Sequence, residues 1–125
     1  MAAKDILIVE DEKMTARLLD YRLKSLGHSV THIANGVEAL EHIHKKLPDV
    51  VILDVMLPGM NGFEILENLN EMKDVDLSRL KVIMLTTKNR PDDISRGFNL
   101  GAVEYVSKPF KMEEFLLRLN RLISD

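Results

Sequence analysis

The sequence predicts an α/β fold: a five-stranded parallel sheet covered on both faces by five helices, in three layers. Three observations carry this. Short aliphatic runs such as Ile6-Leu7-Ile8-Val9 and Val50-Val51-Ile52-Leu53 lack the polar alternation of a half-exposed strand, so both faces must be buried. Longer segments with apolar residues at helical spacing separate these runs. Turn residues punctuate the joints, with Gly27 after one helical stretch, Pro58-Gly59 in a loop and Pro91 at a helix first turn. Strands that alternate with helices need crossovers, and right-handed crossovers leave few topologies.

The elements follow in order. Residues 6–9 form a buried strand, and a helix over 13–26 follows, with Met14, Leu18, Leu19, Leu23 and Leu26 read as one apolar face. Residues 29–34 are a strand, 36–46 a helix, and 50–53 the most apolar strand after the first. A loop containing Pro58-Gly59 leads to a helix over 62–72, and 73–78 reads as a surface loop. A strand over 81–85, a helix over 91–100, a strand over 103–106 and a helix over 111–123 complete five β/α units. No repeat, low-complexity tract or linker interrupts them.

Composition bounds the function. A chain of 125 residues with 46% apolar content suits one domain with a real core. The formal net charge is −3 and no Lys/Arg block stands out, which argues against a nucleic-acid surface. The chain has no cysteine, so disulfides, thiolate catalysis and Cys-based metal sites are excluded. Met1-Ala2-Ala3-Lys4-Asp5 runs straight into the first strand with no signal-peptide apolar core, and no segment is long enough to span a bilayer. A cytoplasmic protein without membrane contact is the default expectation.

Candidate chemistry gathers at the strand ends. In an open parallel sheet, ligands bind beyond the carboxyl ends of the strands. Glu10 and Asp11 follow the first strand, Asp54 the third, Thr86 the fourth and Lys108 the fifth, which puts all five on one rim. Any one of them alone would pass for an ordinary loop residue. Together they bring several carboxylates and one ammonium to a single place. Two carboxylates about 4 Å apart repel by roughly 4 kcal/mol at an effective dielectric near 20, so the cluster calls for a divalent cation.

These residues carry a resemblance. Glu10-Asp11, Asn35-Gly36-Val37-Glu38-Ala39-Leu40, Asp54 with Leu57-Pro58-Gly59-Met60-Asn61-Gly62, Leu85-Thr86-Thr87, and Gly101-Ala102 leading to Tyr105-Val106-Ser107-Lys108-Pro109-Phe110 are similar to receiver domains of two-component response regulators. The likeness runs essentially from end to end. It implies a flavodoxin-like, doubly wound sheet of order 2-1-3-4-5, with residues 1–125 as one receiver domain and no effector domain.

The resemblance implies Asp54 as phosphoacceptor. It implies Mg²⁺, with Mn²⁺ as a substitute, held by Asp11 and Asp54, by Glu10 through water, and by the main-chain carbonyl of Met56; hard oxygen donors suit such an ion. Lys108 would hold a phosphoryl oxygen as a point charge and Thr86 would donate a hydrogen bond to another. Thr86 and Tyr105 would form the switch: Thr86 moves toward the phosphoryl group, Tyr105 turns inward, and the face made by the fourth helix, fifth strand and fifth helix is reshaped. The plainer reading of Tyr105 is an aromatic packed on the last helix. Met56 and Lys88 match variable positions that flank the path of hydrolytic water and would lengthen the phosphoryl lifetime. The only reactions implied are the chain's own phosphorylation and dephosphorylation, so it is not expected to be an enzyme.

The implied partners are a histidine kinase or phosphotransfer protein, docking at the first helix around Met14, Arg17, Leu18 and Tyr21, and a downstream protein on the switching face. Glu104, Glu114 and Arg118 match part of the charge set of a phosphorylation-dependent homodimer, but Ile94 stands where a lysine is usual, and i,i+4 support between Glu114 and Arg118 is the simpler reading. Met1 and the ending Ile123-Ser124-Asp125 favour a single-domain regulator over a receiver excised from a DNA-binding response regulator. Rivals from other classes are weaker. A flavin or nucleotide module would place phosphate over Glu10-Asp11-Glu12, where charge opposes it. A phosphatase with an Asp nucleophile would need an acid where Met56 stands. His42 and His44, two apart, fall on different helix faces and make a poor metal pair. A constitutive binding module that is never phosphorylated is the remaining alternative.

Overall fold

In the computed structural model, which describes residues 3–124, five strands pair in parallel in the order β2-β1-β3-β4-β5. The elements are β1 (Asp5–Val9), α1 (Lys13–Ser25), β2 (Ser29–Ile33), α2 (Gly36–Lys45), β3 (Val50–Leu53), α3 (Gly62–Glu71), a 3₁₀ turn (Leu77–Arg79), β4 (Lys81–Thr86), α4 (Pro91–Asn99), β5 (Glu104–Ser107) and α5 (Met112–Ile123). This is the flavodoxin-like α/β arrangement expected. Met1, Ala2 and Asp125, on which the reading of the chain ends partly rested, lie outside the described residues.

The two-residue period of the strands divides the core. Leu7, Val9, Val51, Leu53, Val82, Met84 and Tyr105 pack with residues of α2 and α3, with Ile94 of α4 against them. Ile6, Ile8, Val50, Ile52, Ile83, Leu85 and Val106 point the other way, onto Leu19 and Leu23 of α1 and Phe115, Leu116 and Leu119 of α5. The fully aliphatic runs are thus the consequence of a sheet with no wet face. No described helix is long and apolar enough to cross a membrane.

Local signals set the joints. Gly27 takes φ 94° and ends the α1 turn. Asn35 caps α2 by accepting from Val37 N (2.8 Å) and Glu38 N (3.2 Å). Asn61 and Glu64 form a reciprocal capping box at α3. Gly62 is required by space: a methyl group there would lie 2.4 Å from the carbonyl oxygen of Asp54.

Two expectations need correction. Residues 73–78 are not wholly irregular, because Asp76 accepts from Ser78 N at 3.1 Å and starts the short turn at Leu77–Arg79. The apolar residues of α1 do not share one face. Leu19 and Leu23 are buried, with Ala16 beside them, whereas Met14, Leu18 and Leu26 are exposed by 68%, 52% and 45%. At about 100° per residue, Met14 and Leu18 point roughly a quarter-turn or more away from Leu19 and Leu23.

Candidate functional site

The carboxyl edge of the sheet builds the site. Val9 and Leu53 are register partners at the ends of adjacent strands, so Glu10 and Asp54, which follow them, leave the sheet side by side, while β4 runs on past Met84 to Thr86. Asp54 is anchored by its own backbone, its N–H donating to Val9 O at 3.0 Å. Thr86, the last residue of β4, pairs in register with Ser107, and Lys108 N–H donates to Thr86 O at 2.9 Å, which sets the lysine beside the acids. The Lys108-Pro109 bond is cis.

The predicted residues do come together. Carboxylate oxygens of Glu10, Asp11 and Asp54 all lie within 4.8 Å of one another. Glu10 and Asp54 are buried and Asp11 is exposed. Lys108 Nζ reaches Asp54 Oδ2 at 2.9 Å and Glu10 Oε1 at 2.5 Å. The other Asp54 oxygen, Oδ1, accepts from Met56 N at 3.0 Å, and Glu10 Oε2 accepts from Glu12 N at 3.1 Å. Sequence reasoning gave Lys108 a phosphoryl oxygen to hold; its direct contacts with Asp54 and, closer still, with Glu10 depend on side-chain reach across two strands, for which the sequence holds no signal.

Electrostatics matches this geometry. Burial raises the Glu10 carboxyl above its ordinary range, opposed by its hydrogen bonds from Lys108 and Glu12 and reinforced by the charge of Asp54. Burial acts to lower Lys108, but its hydrogen bonds and attraction to Glu10 and Asp54 outweigh that and hold the ammonium above its ordinary value. One ammonium thus serves two of three clustered acids. The donor set is all oxygen, carboxylate-rich and short of one cationic partner, which fits a hard divalent ion.

Beyond the acids, Thr86 is fully buried, and its Oγ1 accepts from Lys88 N at 3.2 Å. The carbonyl of the same Lys88 accepts from the Tyr105 hydroxyl. Tyr105 is buried, its hydroxyl pushed up to about 12 by burial and then by the charges of Asp93 and Asp54. Its ring lies 6.3 Å from that of Phe98 in the residue stretch of α4, and it belongs to the core on the α2–α3–α4 side of the sheet. The plainer reading, packing on the last helix, is thus incomplete: the ring joins the α4-side core, while Tyr105 also lines a cavity with Glu114, Phe115 and Arg118 of α5. Met56, 52% exposed, and Lys88 line a cleft of about 560 Å³ that also takes in Asp11, Phe63, Asp93 and Arg96.

On the surface, Met14, Leu18 and Tyr21 leave an exposed apolar stripe on α1. Arg118 is held within the chain, at 3.1 Å from Glu114 and 3.7 Å from Glu104. His44 pairs with Asp74 at 2.8 Å, and that hydrogen bond draws the Asp74 carboxyl below its ordinary value.

Comparison with known proteins agrees with the geometry. The family model described as "Response regulator receiver domain" matches residues 6–120. An uncharacterized transcriptional regulatory protein of Bacillus subtilis, YkoG, is 43% identical over 114 residues, which are 91% of this chain and 48% of that protein. The chain thus spans about half the length of that curated relative. Among solved structures, the non-phosphorylated HemR receiver domain of Leptospira biflexa is 36% identical with a TM-score of 0.84, covering 96% of this chain and 94% of that one. The receiver domain of a sensor histidine kinase from Pseudomonas aeruginosa, solved with magnesium coordinated in its active-site cleft, is 28% identical with a TM-score of 0.84 and covers 99% of this chain and 100% of that one. The chain belongs to the response regulator receiver domain family of two-component systems.

Proposed function

We propose that the chain accepts a phosphoryl group on Asp54 from a histidine kinase, a phosphotransfer protein or a small acyl phosphate, and signals through the face formed by α4, β5 and α5. The observation that carries this reading is Lys108 Nζ at 2.9 Å from Asp54 Oδ2 within a cluster of three carboxylates. Glu10, Asp11 and Asp54 would hold Mg²⁺, with the main-chain carbonyl of Met56 completing the protein's share. When bound, the ion would offset the negative charge of the incoming phosphoryl oxygens.

Phosphoryl transfer asks the protein for alignment and charge neutralisation. With an acyl phosphate donor, an Asp54 carboxylate oxygen forms the new bond to phosphorus as the bond to the donor's carboxylate oxygen breaks, releasing the donor acid as its anion. The N–H of Met56 fixes one Asp54 oxygen, which orients the other. Lys108 then follows the charge from the free carboxylate to a phosphoryl oxygen, and the Thr86 hydroxyl can turn its proton from solvent-excluded surroundings toward another. The product is an aspartyl phosphate that water later hydrolyses.

Charge argues against Asp54 being only structural, since a buried third carboxylate adds repulsion that an asparagine would avoid. The exposed stripe of Met14, Leu18 and Tyr21 is the surface we assign to kinase docking. Because Arg118 is satisfied within the chain, homodimerisation through that face would have to break or share those contacts.

The deciding experiment is intact mass after incubation with acetyl phosphate, with and without Mg²⁺, on the wild type and on Asp54→Ala. One phosphoryl adduct that needs both Mg²⁺ and Asp54 supports the reading. Absence of an adduct, where a control receiver is modified, would reassign the chain to constitutive binding.

A further inference from the structure

Glycine in a helix interior is disfavoured relative to alanine because it gives up more backbone freedom on folding. Gly97 nevertheless occupies the interior of α4 and is the one buried residue of that helix. What it faces explains it. A methyl group at this position would lie 2.7 Å from Cε2 and 2.9 Å from Cδ2 of Tyr105, well inside contact distance, while its next neighbour, Met84 Cγ, would be at an ordinary 3.6 Å. The tyrosine ring therefore fills the space that the missing side chain leaves.

That ring is tied into the site already described. Its hydroxyl donates to the carbonyl of Lys88, and the N–H of Lys88 donates to Thr86 Oγ1. A single peptide segment thus connects the threonine at the phosphoacceptor rim with the tyrosine under α4. β5 lies at the edge of the sheet, so rotation about the Tyr105 side chain has an outward alternative facing solvent.

We propose that Gly97 is a positioning residue that admits Tyr105 to its buried pose, and that this pose is preset in the unmodified chain by the residue at position 97. The sequence-based expectation had Tyr105 turning inward on phosphorylation. Here the ring is already inward, and phosphorylation can shift only the population not yet in that state. This last consequence rests on the function proposed above; the role of Gly97 in placing the ring does not.

The test uses the unmodified protein, so its outcome is independent of whether Asp54 is phosphorylated. The chain has two tyrosines and no tryptophan, and Tyr21 is largely exposed, so Tyr21→Phe leaves Tyr105 as the only tyrosine emitter. Acrylamide quenching should find Tyr105 shielded in that background and should find the shielding lost when Gly97→Ala is added. A Tyr105 that is open to quencher before the change, or still shielded after it in a folded protein, overturns the proposal. If Gly97→Ala does not fold alone, the same substitution in a Tyr105→Ala background decides. There, alanine at 97 should restore folding and raise the urea midpoint above that of Tyr105→Ala. An equal loss in both backgrounds would place the clash elsewhere and sink the idea.

Discussion

Lys108 donates to Glu10 as well as to Asp54, and the Glu10 contact is the shorter, 2.5 Å against 2.9 Å. The lysine side chain is 12% exposed and the two acids 2% and 6%, so this is a buried charge arrangement in which two carboxylates share one ammonium, with the exposed Asp11 beside them. Removing one partner of such an arrangement leaves charge without compensation, a larger loss than the net worth of the pair. Lys108→Met should lower unfolding stability by about 3 kcal/mol at neutral pH in the presence of a chelator. Added Mg²⁺ should recover part of that loss, since an ion that binds only the folded state stabilises it by mass action. Urea denaturation of both proteins, with EDTA and with Mg²⁺, measures this. A variant as stable as the wild type in EDTA would show that the acids do not depend on the lysine.

The start of α3 is pressed against the end of β3 at Asp54. Gly62 has no room for a side chain, because the intruding methyl would meet backbone, the carbonyl oxygen of Asp54 at 2.4 Å and Cα of Val55 at 3.0 Å. Backbone cannot rotate aside as a side chain can, so the helix or the strand end has to move. Gly62→Ala should cost about 3 kcal/mol, the upper part of the range for overpacking, and should slow adduct formation at Asp54 more than Gly27→Ala does, since Gly27 has nothing within 4 Å. Chemical denaturation together with adduct yield from acetyl phosphate gives both readings. Equal yields for the two variants would count against the coupling of Gly62 to Asp54.

How far these relationships were legible varies with their physical origin. The rim of Glu10, Asp11, Asp54, Thr86 and Lys108 could be placed because a parallel sheet puts every strand end on one side, whatever the side chains do. The switch of core side between Tyr105 and Val106 follows equally from the period of a strand. The packing of Tyr105 against α4 did not follow, because that depends on which layer each crossover helix joins. A signal was present: a glycine inside α4 has a cost that only a close neighbour justifies. On α1 the periodicity was over-read, since five apolar residues spanning half the circumference cannot all face the core.

Met56 and Lys88 stand on the rim of the cleft beside Asp54, Met56 with half its surface in solvent. Were Asp54 phosphorylated as proposed, an apolar side chain and a flexible cation lining that cleft would restrict how water lines up behind the phosphorus. Replacing them with Met56→Asn and Lys88→Glu supplies an amide and a carboxylate that can orient that water. Dephosphorylation of the double variant should be roughly tenfold faster, equivalent to about 1.4 kcal/mol in the barrier. Adduct decay followed by intact mass after donor removal measures it, and an unchanged rate would remove both residues from control of the lifetime.

His28 provides a pH dependence away from the acidic cluster. Its Nδ1 accepts from the N–H of Lys4 at 3.0 Å, so the neutral ring carries its proton on Nε2, which is buried with no partner among the described residues. Burial lowers its basicity, and the positive charge of Lys4 adds to that. Protonation would put a hydrogen on Nδ1 and turn an accepted bond into a donor–donor contact. With the folded value below the unfolded one near 6.5, the unfolded chain binds more protons between the two, so stability rises with pH there. The contribution is fully present above about pH 6.5 and is lost as pH falls from there through the folded value. His28→Asn keeps an acceptor for Lys4 without titrating in this range. The decline in urea midpoint between about pH 7.5 and pH 5.5 should therefore be smaller in His28→Asn than in the wild type. Matching declines in the two proteins would show that His28 protonates freely in the folded chain.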